Sequence, residues 1–172
     1  ISNTLNNVVN TFFLTMGIAI SIVIGQLIGA GKLKEAKETD TKMITFSLMI
    51  SLGVSALLLI AAPLFPRIYN TTGEIRYLAT RFILVYVLAT PFNAFTNAAY
   101  FTLRSGGKTV MTFIFDSGFI WAVNVPVAML LAHFTNLPIV WMFFIISMLD
   151  AIKSVVGFIL VKKGDWLNII VE

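Results

Sequence analysis

The chain has 172 residues, 58% of them hydrophobic and only 12% charged, with a mean hydropathy of +0.92. A soluble domain carries about twice that charged fraction, and a bilayer span takes roughly 20 apolar residues, so the chain holds about five spans and excludes a sizeable aqueous domain. Cysteine is absent and His133 is the single histidine, which removes disulfides and thiolate chemistry and leaves little for a metal site; the net charge of +4 arises at helix ends, which points to a membrane and away from nucleic acid.

The first predicted span covers residues 5–30 and stops at Gly31, before Lys32, Lys34 and Lys37. The second covers 43–64, is closed by Pro63 and Pro66, and leads into an Asn70-Thr-Thr-Gly73 turn. The third covers 76–103 and is expected to be interrupted and bent at Pro91. Arg104-Ser-Gly-Gly-Lys108 forms the next loop. The fourth span, 110–132, contains Pro126, and the fifth, 139–161, follows Asn136-Leu-Pro138 and ends at Lys162-Lys163-Gly164 and a short polar tail. No internal repeat or long linker divides the spans, so the expectation is an all-α integral membrane bundle forming a single domain over residues 1–172. The chain opens on Ile1 at the start of a helix, lacks a signal-peptide pattern and has an odd number of spans, so it is expected to be a piece of something longer.

Loop charge gives an orientation. Lys32, Lys34, Lys37, Lys42, Arg104, Lys108, Lys162 and Lys163 fall on one side, against Arg67, Arg76 and Arg81 on the other. The excess of basic residues places the Lys-rich loops and the C-terminus in the cytoplasm, in a multi-pass protein of the cell (inner) membrane.

Ionisable residues at hydrocarbon depth cost roughly 2.5–3.5 kcal/mol each on insertion scales and are functional candidates by default. Asp116 lies about 9 Å into the fourth helix, as a switchable charge or as a partner of Arg104 or Lys108. Asp150 and Lys153 share a face of the fifth helix at a spacing suited to a structural ion pair. Around Pro91, the residues Asn93, Thr96 and Asn97 offer oxygens to a cation or polar substrate group, or hydrogen bonds to neighbouring helices. Gln26 stands between Gly25 and Gly29, whose GxxxG spacing suits helix packing. No Ser/His/Asp set, His-Glu-x-x-His motif or close carboxylate pair appears, so no enzyme is expected.

The segment from Gly17 through Gln26 to Gly31, followed by Glu35-Ala-Lys37, resembles a signature of the multidrug and toxic compound extrusion (MATE) transporters. Pro91-Phe-Asn-Ala94, the Leu103–Thr109 loop, Asp116 with Trp121 and Val125-Pro126, and the final Lys-Lys-Gly-Asp-Trp166 resemble the C-terminal part of that family in order and spacing. The resemblance covers essentially the whole chain and implies the last five of twelve helices, hence part of one of two six-helix lobes around a central cleft. It further implies export of cationic, lipophilic small molecules in exchange for Na⁺ or H⁺, with no cofactor, and a partner N-terminal lobe that this stretch lacks. Some family members carry an aspartate where this chain has Asn93, a departure that removes a titratable group from the lobe's cation site. A lipid-linked oligosaccharide flippase of similar architecture and a non-transporting membrane scaffold are the alternatives.

Overall fold

A computed structural model describes residues 2–70 and 72–167; Thr71 of the expected turn and the tail beyond Leu167 lie outside the described residues. Five helices make up most of it: α1 (Ser2–Gly29), α2 (Leu33–Ile68), α3 (Gly73–Ser105), α4 (Thr109–Phe134) and α5 (Ile139–Lys163). Each is long and apolar enough to cross a bilayer. Helix α2 begins well before its apolar stretch; at about 1.5 Å per residue it is longer than the hydrocarbon core is thick, so its charged first turns extend beyond the apolar layer. At the end of α1, Gly31 takes a φ of +73°, which costs glycine no Cβ clash. Its N–H donates to the Ile28 carbonyl and that of Lys32 to the Leu27 carbonyl, both at 2.9 Å, so carbonyls that the helix leaves open are satisfied.

Packing follows from helical stripes. Helix α1 buries Val9, Phe13, Ile20, Ile24 and Ile28, and α2 buries a row of mostly small residues that includes Ala36, Ser47, Ser51, Ser55 and Ala62. Small side chains let backbones approach closely, the main source of helix association in lipid. Helix α3 packs against α1, α2 and α5, which accounts for its many buried positions, from Ala79 to Leu103. A methyl group on Gly25 or Gly29 would meet nothing within 4 Å, so the expected GxxxG face packs no helix among the described residues; Gly17 instead lies against the Phe101 ring.

Helix α3 runs through Pro91 without the expected interruption. Proline lacks the N–H that would bond to the carbonyl four residues earlier, that of Val87. The Ser55 hydroxyl of α2 donates to that carbonyl at 3.3 Å, so the defect is satisfied from a neighbouring helix. Helix α4 departs more from regularity: Ile114–Gly118 and Ile120–Asn124 are π-helical, between α-helical Thr109–Phe113 and Val125–Phe134. Much of its apolar surface, including Val110, Phe113, Trp121 and Met129, faces outward.

The ends of α1, α3 and α5 meet at one end of the bundle. Trp166, fully buried, packs in a cluster with Ile28, Ala36 and Leu103, and its indole N–H donates to the Val161 carbonyl at 2.9 Å. Gly106 lies beneath the Trp166 backbone, where a Cβ would stand 1.9 Å from the carbonyl oxygen. Beside them the Thr102 hydroxyl donates to Asp40 Oδ1 at 2.5 Å, tying α3 to α2 through a buried carboxylate.

Candidate functional site

Residues 93, 96/97, 100/101 and 104 recur at three- and four-residue intervals, so they share one face of α3. That face forms one wall of a cavity of about 350 Å³, closed by Leu14 of α1, Asp116 of α4, and Asp150 and Lys153 of α5. Asp150 is roughly 16 Å from the start of α5 and 20 Å from its end, which puts it near mid-membrane. Asp116 sits within the first π-helical stretch of α4, and such stretches are frequent at functional sites.

Lys153 is the main correction to the sequence reading. Its ammonium donates to Asp116 Oδ1 at 2.6 Å, across the contact between α4 and α5, where a pair with Asp150 or an Asp116 partner at Arg104 or Lys108 was expected. The reason is geometric. Asp150 is a neighbour one turn away on the same helix, but the Lys153 side chain extends across to α4, where Asp116 Oδ1 lies within charge-assisted hydrogen-bond distance of its ammonium. The Lys153 side chain is 8% exposed and that of Asp116 42%, so the buried ammonium relies on a carboxylate that opens to the cavity. Lys153 also lies 5.3 Å from the centroid of the Phe115 ring, a cation–π contact. Among the described residues, no hydrogen bond or ion pair within 4.0 Å reaches the Asp150 carboxylate.

The amides and hydroxyls are internally ordered. Asn97 Nδ2 donates to the Asn93 carbonyl at 3.0 Å and to Asn93 Oδ1 at 2.7 Å, fixing both amides on the cavity wall. Thr96 Oγ1 lies 3.0 Å from Ser154 Oγ, which in turn lies 3.0 Å from the Phe92 carbonyl and 2.8 Å from that of Asp150. This network locks α3 to α5 beside the charged pair.

Of the residues singled out from sequence, Asn93, Thr96, Asn97, Asp116, Asp150 and Lys153 converge on this cavity. Gln26 does not: it is exposed on α1, about 18 Å along the helix from Leu14. Arg104, expected only as an alternative partner of Asp116, lines the cavity, whereas Tyr100 and Ser154 were missed. Tyr100 follows Asn93 at helical spacing and Ser154 adjoins Lys153, so periodicity carried a signal for both.

Among the described residues, five apolar helices enclose a charged, amide-lined cavity, the build of a multi-pass membrane protein. The MatE family model matches residues 1–130, and the chain belongs to that family. It is similar to the probable multidrug resistance protein YoeA of Bacillus subtilis (strain 168), at 29% identity over 131 residues, which is 74% of this chain and 28% of that protein. Human multidrug and toxin extrusion protein 1 is 23% identical over 145 residues, covering 83% of this chain and 25% of its own length. The probable multidrug resistance protein NorM of Oceanobacillus iheyensis is 27% identical over 124 residues, covering 72% and 28%. The chain thus spans about a quarter of the length of the curated relatives it matches. No solved structure matches it.

Proposed function

We propose that this chain is part of a secondary active efflux transporter that exports cationic, lipophilic compounds by antiport with Na⁺ or H⁺, working with a second helical lobe. The cavity carries the reading. Asp116 and Asp150 bring two carboxylates into it against the single buried ammonium of Lys153, while Arg104 is exposed at the end of α3. With Arg104 counted the lining is formally balanced, and its two carboxylates are the groups an incoming cation would engage. Tyr100 and Phe101 add aromatic surface, and aromatic faces attract organic cations. The names of the relatives agree with drug export. The same reading puts the Lys-rich ends of α1, α3 and α5 in the cytoplasm of a cell membrane, by the basic-loop rule.

Alternating access would come from movement of the two lobes about the site. Asn93 supplies a neutral oxygen where a carboxylate would titrate, so in this reading Asp116 and Asp150 carry the charge change of the cycle. The test is uptake of a dye cation by liposomes holding the chain with its native flanking sequence, with Na⁺ and H⁺ gradients imposed separately. Uptake driven by one gradient and lost in Asp150→Asn supports the reading and names the ion. Flux that ignores both gradients overturns antiport, and transport of a lipid-linked sugar in its place would establish a flippase.

A further inference from the structure

We infer that Lys153 is a tethered cation that occupies the carboxylate site and must change partner, from Asp116 to Asp150, before an organic cation can bind there. The inference rests on the cavity being a cation site, and it concerns how that site is opened.

Three observations carry it. Lys153 holds Asp116 at 2.6 Å while its own side chain is 8% exposed, so the charge the chain keeps in the cavity is bound as an external cation would be. Asp150, one helical turn before Lys153, lines the same cavity, and no hydrogen bond or ion pair within 4.0 Å engages its carboxylate among the described residues. Residues three apart are neighbours on a helix surface, and the four-carbon lysine stem is flexible, so rotation of the side chain carries the ammonium between the two carboxylates without backbone movement.

The direction of the exchange follows from exposure. Asp116, at 42% exposed, is the carboxylate an incoming cation can reach, whereas Lys153 lies behind it. Like charges at contact distance repel strongly where water is scarce, so an organic cation and the Lys153 ammonium cannot share Asp116. Binding at Asp116 then drives Lys153 onto Asp150. The tethered ammonium weakens binding, and in return it refills the site when cargo leaves, so the lobe never presents two bare carboxylates to the bilayer.

The test is equilibrium binding of tetraphenylphosphonium to the purified chain with its native flanking sequence. Lys153→Met keeps the stem and removes the charge; its affinity should rise about tenfold or more, while Lys153→Arg stays near wild type. Asp150→Asn removes the alternative partner and should weaken binding by about tenfold. If wild type binds and Lys153→Met binds no tighter, with a cooperative unfolding transition intact, the tethered-cation role is overturned and the cation site stands. If Lys153→Met fails to fold, unchanged affinity in Asp150→Asn overturns the role. Absence of binding in wild type and in every variant overturns the cation-site reading itself.

Discussion

Lys153 and Asp116 meet across the contact between α4 and α5 at 2.6 Å, and the pair joins the helix with the least buried surface to the rest of the bundle. Removing one partner leaves the other charge in a water-poor cavity. Asp116→Asn should therefore lower stability by about 1–3 kcal/mol, less than for a fully buried pair because Asp116 opens to the cavity. Asp116→Asn combined with Lys153→Met should recover most of that loss. Thermal unfolding of the four forms in one detergent gives the coupling, and simple additivity would rule the pair out as a structural tie.

Ser55 and Val87 make a second test, on the proline in α3. Ser55→Ala should cost roughly 0.5–1.5 kcal/mol, because the Val87 carbonyl that Pro91 leaves free loses its donor. Pro91→Ala restores an N–H for that carbonyl, so in its background Ser55→Ala should be close to neutral. An equal cost in both backgrounds would mean that the hydroxyl acts through packing.

How much of this was legible before the fold was known differs by residue. Gly31 and Gly164 end helices, and both adopt positive φ, so the ends of α1 and α5 are marked in the sequence. The beginning of α2 at Leu33 is not, because the charged residues from Lys34 to Lys42 lower the hydropathy of a segment that is nonetheless helical. Nothing in the Ile114–Asn124 composition signals π-helical pairing, which depends on how the turns are strained and packed. The partner of Lys153 was hidden for a topological reason. Asp150 is its neighbour in sequence, while Asp116 is 37 residues away and comes close only when α4 and α5 pack.

The docked tail gives an independent prediction about the basic end of the bundle. Gly106→Ala places a methyl against the Trp166 backbone and should lift the tail, exposing an indole that is fully buried. In a background where Trp121 and Trp141 are phenylalanine, emission should shift to the red and acrylamide quenching should rise. Trp166→Ala should lower stability by about 3–5 kcal/mol, as expected for truncating a buried aromatic. Unchanged quenching in Gly106→Ala would show that the loop yields and the tail stays docked.

Asn93→Asp tests what the missing carboxylate means. Asn93 lines the same cavity as Asp116 and Asp150, and its side-chain oxygen accepts from Asn97 at 2.7 Å, a bond an aspartate would keep. The variant therefore adds a third carboxylate beside an existing donor, with Lys153 still the one buried ammonium in the cavity. As pH rises the new group ionises, so tetraphenylphosphonium affinity should climb with pH more steeply in the variant than in wild type. Sodium should now compete, since a carboxylate beside ordered amide and hydroxyl oxygens suits a hard cation. If pH and sodium act alike on variant and wild type, the Asn93 position lies outside the path of the cation.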